Sequence, residues 1–168
     1  MATVDVKIPV LGTMTTESFA LGDKVRLEAE MMGVQIITWT DSETEWEYNR
    51  KTNEVEISSI NSKKVSEESG DAGMFSGITD GYDVSIKKET SDAWYITCKK
   101  SKDNTDKDSP KTMELVVEKG TYLPISLSAK LSGVSMTMRN ISFGVSEKMV
   151  TFNPADYPGV KIIDKRGN

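Results

Sequence analysis

Few side chains in this sequence are of the types that carry out covalent chemistry, and their spacing suits it poorly. Asp41, Glu45 and Glu47 set carboxylates beside Trp46 and Tyr48, the residue types a glycosidase uses as acid, base or nucleophile around a sugar. The alternation Glu45-Trp46-Glu47-Tyr48 puts both glutamates on the hydrated side of a strand, where a solvated charge is the ordinary role. Asp103, Asn104, Asp106 and Asp108 offer oxygen donors within a charged run, Lys99 to Lys111. Calcium-loop spacing would make Thr105 and Lys107 the second and third ligands, and no glycine follows them. The run therefore reads as a solvated hairpin tip. The chain has no histidine, which removes the commonest general base, the commonest metal ligand and every Ser-His or Cys-His pair. Cys98 is the single cysteine, so it forms no internal disulfide and no cysteine-based zinc site on its own. The expectation is a protein that is not an enzyme and that uses no cofactor and no metal.

What would have to position a site is an array of strands. With 168 residues, 37% hydrophobic and 28% charged, the chain has the size of one domain with a real core. Its net charge of −5 argues against nucleic acid, whose binders show a basic stripe. No stretch approaches the ~18 apolar residues of a membrane-spanning helix. Apolar and polar residues alternate in segment after segment, the period of a strand with one dry and one wet face. Thr3 to Ile8 reads as a strand. Val25, Leu27, Ala29 and Met31 alternate with Lys24, Arg26, Glu28 and Glu30, which puts Arg26 on the wet face. Val34 to Thr40 is an apolar run without clean alternation. Trp46 and Tyr48 lead through the turn Asn49 to Asn53 into Val55 and Ile57, a hairpin. Val84 and Ile86 follow, then Trp94, Ile96 and Cys98, then Met113, Leu115 and Val117. Leu123 to Leu131 turns through Ser132-Gly133 into Val134, Met136 and Met138. The segment 60–81 lacks strand period, carries Met74 and Phe75, and reads as a lid of loop or one or two helical turns, with a disordered insertion as the alternative.

A face this apolar must be covered, since burying one large side chain is worth about 1.5–3 kcal/mol. The sheet can pack as a sandwich, close into a filled barrel, or curl partway and leave a cleft under a lid. Nine methionines, several on these faces, suit an adaptable apolar binding surface or a methionine-filled core equally.

Three stretches resemble the LolA-like family of periplasmic lipoprotein carriers. Gly22-Asp23-Lys24-Val25-Arg26-Leu27-Glu28, then Thr38-Trp39-Thr40-Asp41 and Thr44-Glu45-Trp46-Glu47-Tyr48, is similar to the family's strand, Asp turn and "W-x-Y" strand. Trp94-Tyr95-Ile96-Thr97, the charged loop and a strand pair ending in Leu123-Pro124-Ile125 follow in the same order. Phe152-Asn153-Pro154-Ala155-Asp156-Tyr157-Pro158-Gly159-Val160-Lys161-Ile162-Ile163-Asp164 resembles the "F-x-P…P-x-G-V-x-V-x-D" ending. The resemblance implies a mainly β fold: a single domain over 1–168 with a strongly curved, unclosed antiparallel half-barrel sheet, and 60–81 as its lid. It implies a monomeric, non-catalytic carrier that holds lipid acyl chains or lipoproteins on the concave face and meets membrane-associated sorting partners. Its location would be periplasmic or outer-membrane-associated. The ligand contacts expected are Val25, Leu27, Met31, Trp46, Tyr48, Leu115, Leu127, Met136 and Met138, with Met74 and Phe75 in the lid. The alternative is a structural or protein-interaction domain whose core is filled by its own side chains. The family's first helix and a leader are expected to be missing, because Met1-Ala2 runs directly into the first strand pattern. Where the family has a "K-R-P" turn with a lid-locking arginine, this chain has Ala20-Leu21-Gly22-Asp23, so that switch does not carry over.

Overall fold

The computed structural model describes residues 1–9, 12–60 and 77–167. The described residues form the strands β1 (Ala2–Ile8), β2 (Gly12–Leu21), β3 (Lys24–Met31), β4 (Val34–Thr40), β5 (Thr44–Asn49) and β6 (Glu54–Ser59). They continue with β7 (Tyr82–Glu89), β8 (Ala93–Lys100), β9 (Thr112–Glu118), β10 (Pro124–Leu131), β11 (Val134–Arg139) and β12 (Lys161–Asp164). A short helix, α1 (Glu147–Val150), and a 3₁₀ turn (Pro154–Asp156) precede β12. The expected mainly β, antiparallel class is found. The strands read from alternation are all present. Two were not read: β2, whose Thr-Met-Thr-Thr-Glu-Ser run is too polar to show a period, and the short β12.

Two compact units divide the chain, one drawn from 16–60 and 143–167, the other from 2–15 and 77–142. In the first, the strand order is β12-β6-β5-β4-β3-β2. Its pairings are antiparallel except that β12 runs parallel to β6, with Ile162 opposite Val55 and Asp164 opposite Ile57. Register follows from tight turns. Met32 and Gly33 (φ 53° and 75°) join β3 to β4 in two residues, both left-handed as a type I′ hairpin requires. The core of this unit is Ile37, Trp39, Tyr48, Val55 and Ile57, all buried, with Trp46, Phe152, Tyr157 and Val160 packed against it. Three of those packing residues come from the C-terminal segment, so the tail covers this sheet. Val145 and Val150 of the same segment are buried too.

The second unit has the order β1-β11-β10-β9-β8-β7, all antiparallel. Ser132-Gly133 (φ 50° and 87°) makes the second type I′ hairpin, at the turn expected from sequence. Neither strand order closes on itself. The strong curvature expected of a half-barrel is not found. Sheets curl through bulges and glycine kinks, and the described ladders carry register shifts only at Ile86/Lys88 and Pro124/Ser126. The proposed lid, with Met74 and Phe75, lies almost wholly outside the described residues.

Candidate functional site

The first unit presents a covered face. Directly opposite residues in a ladder share a face, and register sets Phe19 opposite Arg26, Arg26 opposite Trp39, Trp39 opposite Trp46, and Trp46 opposite Ile57. The adjacent row is Glu28, Ile37, Tyr48 and Val55. Over these rows lie the rings of the tail. Tyr157 stands 4.6 Å from Tyr48, 5.6 Å from Trp39 and 5.9 Å from Phe152 by ring centroid, and Phe152 stands 5.3 Å from Trp39. Burial pushes the Tyr157 phenol upward from its ordinary pKa.

Arg26 is therefore not on a wet face, as strand alternation suggested. It is half-buried on the covered one. Its guanidinium pairs with Glu28 at 2.6 Å, lies 5.4 Å from the Phe19 ring and 5.5 Å from the Trp39 ring, and donates through Nη1 to the carbonyl of Met149 at 3.3 Å. Its Nε is buried without a hydrogen-bond partner among the described residues. A delocalised cation tolerates this setting better than an ammonium would, because its faces stack on rings while its edges pair.

The same register corrects the expectation of one continuous dry face through β3 and β5. Leu27 sits opposite Thr38, which sits opposite Glu47, which sits opposite Glu56. Val25, Leu27 and Met31 thus share a face with Glu45 and Glu47, and Trp46 and Tyr48 lie on the other. Leu27 and Met31 are exposed, and Tyr48 is buried. Asp41, the remaining carboxylate weighed for sugar chemistry, accepts hydrogen bonds from the amides of Glu43 and Thr44 and so builds the β4–β5 turn.

In the second unit the alternation holds across every ladder. One row reads Val4, Met138, Leu127, Leu115, Ile96 and Ile86. The next reads Val6, Met136, Ala129, Met113, Cys98 and Val84. Leu115, Leu127, Met136 and Met138 are thereby brought together on one apolar face. Its centre is closed to solvent: Cys98, Met113, Leu115 and Leu127 are buried. Its margins are open, with Ile86 61%, Val84 52%, Met136 39% and Leu131 38% exposed. Burial raises the Cys98 thiol pKa, which leaves it unreactive. At the Trp94 end the ring stacks at 5.4 Å on Tyr122, with Lys119 over it and paired at 2.5 Å with Glu89. At the other end the charged run forms the β8–β9 connection as expected. Asp106 there accepts from the Ser109 hydroxyl and the Asp108 amide, and Lys100 donates to the Asp106 carbonyl.

Sequence reasoning missed two parts of this arrangement. One is the tail as the cover of the first unit, for which the apolar series Phe152, Tyr157 and Val160 was the available signal. The other is Arg26, for which no signal existed without the register of β4.

No protein-family model matches the chain, and no curated protein matches it. Among solved structures, an uncharacterized conserved protein from Thermus thermophilus is 16% identical with a TM-score of 0.46, over 98% of this chain and 88% of that one. MucB in complex with MucA(peri) is 12% identical with a TM-score of 0.45, over 90% of this chain but only 53% of that one. A LolA superfamily protein from Nitrosomonas europaea is 9% identical with a TM-score of 0.31, over 90% and 88% of the two chains. The chain is thus distantly similar in structure to MucB and to a LolA superfamily protein.

Proposed function

We propose that this chain is a non-catalytic binding protein for apolar chains, holding lipid or lipoprotein acyl groups against the sheet face of its second unit. The observation that carries the proposal is the pair of apolar rows on that face, whose margins Val84, Ile86, Leu131 and Met136 stay open. Apolar side chains left in water at this density are ordinarily matched to a ligand or partner. The methionines add adaptability to chains of varied shape. The sequence patterns shared with LolA-like carriers support lipoprotein sorting as the setting, with a periplasmic or outer-membrane-associated location, membrane-associated sorting partners and a monomeric state. Of the contacts expected from sequence, Leu115, Leu127, Met136 and Met138 belong to this face. Val25, Leu27 and Met31 would contact a ligand only from the uncovered face of the first unit.

A second reading has one specific observation in its favour. The first unit fills its own covered face with Trp39, Tyr48, Phe152 and Tyr157, as a structural or protein-interaction domain would. Displacement of a fluorescent fatty-acid probe, with native mass spectrometry of the purified chain, separates the two. Probe binding that Leu131→Ser/Met136→Ser weakens about tenfold, close to the ~1.5–3 kcal/mol of one buried side chain, supports the carrier. An absence of probe and lipid binding refutes it.

A further inference from the structure

The apolar rows of the second unit end in lysines. Beyond the row of Met136, Met113, Cys98 and Val84, the next step along each strand on the same face brings Leu131 and Val134 on β10–β11, and Lys111, Lys100 and Tyr82 on the strands beside them. The amide of Lys100 bonds the carbonyl of Lys111 at 3.0 Å, which continues the ladder one step past β9. Around this end lies an open concavity of about 720 Å³. Lys100, Lys107 and Lys111 line it together with Leu131; Lys130 and Thr112, which belong to the other face of the sheet by parity, line it from around the same end, and no carboxylate does. Lys107, Lys111 and Lys130 are exposed and take part in none of the ion pairs among the described residues. In a chain of net charge −5, four lysines converging on one concavity form a local reversal of sign. At the opposite end of the rows the cation Lys119 is already neutralised by Glu89. The rows thus run from an apolar middle to a cationic end of the unit.

We infer that this concavity receives the anionic headgroup of an amphiphile whose hydrocarbon chain lies over Leu131 and Met136 towards the apolar rows. The inference rests on the proposal that this face takes apolar chains, and it adds the class of ligand: a phosphate- or carboxylate-headed lipid. The dimensions agree. From the Lys100 row to the Trp94 row is six residues of one strand, about 20 Å at ~3.4 Å per residue. One acyl chain spans about 15 Å, half the ~30 Å hydrocarbon thickness of a bilayer. Ammonium groups suit a phosphate as mobile point charges.

Isothermal titration of the full chain with three dodecyl amphiphiles below their micelle concentrations tests this: dodecyl phosphate, dodecyl maltoside and dodecyltrimethylammonium, with inorganic phosphate alone as a fourth ligand. Dodecyl phosphate is expected to bind roughly tenfold tighter than the maltoside, about 1.4 kcal/mol, and the cationic amphiphile most weakly. The preference should shrink as salt shortens the screening length below the ~10 Å of 0.1 M. The exposed triple variant Lys107→Gln/Lys111→Gln/Lys130→Gln should bring phosphate and maltoside within about twofold of each other while leaving maltoside affinity unchanged. Equal wild-type affinity for phosphate and maltoside, or an unchanged preference in the variant, overturns the headgroup site and leaves the apolar face standing. Inorganic phosphate binding as tightly as dodecyl phosphate overturns the amphiphile in favour of a free-anion site. No binding of any amphiphile overturns both proposals.

Discussion

Replacing Tyr157 by alanine removes the ring that joins the tail to the first unit's core, and its cost can be worked from the geometry. Tyr157 contacts three rings, at 4.6, 5.6 and 5.9 Å, and each such pair is worth about 0.5–1.5 kcal/mol beyond area burial. Truncation of a fully buried aromatic costs about 3–5 kcal/mol in total. Tyr157 is half-buried, so about half of the burial part applies, and the expected loss is about 2–4 kcal/mol. Tyr157→Phe keeps the ring contacts and should cost less than about 1 kcal/mol. Urea unfolding followed by tryptophan fluorescence gives the readout. A Trp94→Phe background confines the signal to Trp39 and Trp46, both in the first unit. With a slope of about 2 kcal/mol per molar urea, the midpoint should fall by about 1–2 M. A loss below about 1 kcal/mol for Tyr157→Ala would refute the tail as a structural cover, because the face would then be stable without it.

Other perturbations follow from the same contacts. Arg26→Met leaves Glu28, opposite Ile37, without its cation, and since both partners keep about a quarter of their exposure, the cost should be about 1–3 kcal/mol rather than the larger figure for a fully buried pair. Arg26→Met/Glu28→Leu should recover to within about 1 kcal/mol of the native chain in the same assay, and a double variant as unstable as the single one would count against the pair. Cys98, buried with its thiol pKa raised, should resist a thiol reagent at pH 8 until urea opens the second unit; rapid labelling of the native chain would contradict that burial. Lys161 and Lys24, hydrogen-bonded to Glu54 and Glu147, hold those carboxyls below their usual range, and Arg166 holds Asp164 at about 2. The Lys161–Glu54 and Lys24–Glu147 pairs join the tail to β6 and β3, whereas Asp164–Arg166 lies within the tail; the docking contribution of the two bridging pairs is complete above the ordinary carboxylate pKa and is lost as pH falls through the depressed values. Trp39 and Trp46 fluorescence should therefore report loosening of the tail below pH 4, earlier in high salt, and a signal flat down to pH 2 would refute it.

The second unit was legible because its strands are amphipathic one by one. Cys98, Met113, Leu127 and Met138 each alternate with polar neighbours, so parity alone assigns the face, and the ladders agree. In the first unit parity misleads. β3 alternates cleanly, yet its apolar residues Val25, Leu27, Ala29 and Met31 face away from the core. β4 decides the matter, and β4 is apolar on both faces: Val34 and Ile36 on one, Ile37 and Trp39 on the other. A strand with no period of its own cannot announce which side its neighbour buries. Only the two-residue turn at Met32-Gly33, which seats Met31 opposite Val34, fixes that Arg26 meets Trp39. The aromatic rings of the tail then convert the face bearing charges in β3 into the covered one, since rings accept a guanidinium against them. β2 stayed hidden because it lies at the side of this unit with little apolar surface to display.

The parallel pairing of β12 with β6 has a consequence for how the chain is made. β6 ends at Ser59 and β12 begins at Lys161, so about a hundred residues separate the halves of one core. During synthesis at about 5–20 residues per second, Trp39, Tyr48, Val55 and Ile57 emerge roughly 5–20 s before the segment that shelters them. For that interval the nascent first unit lacks the rings that cover its aromatic face. Its completion waits on the arrival of the last strand.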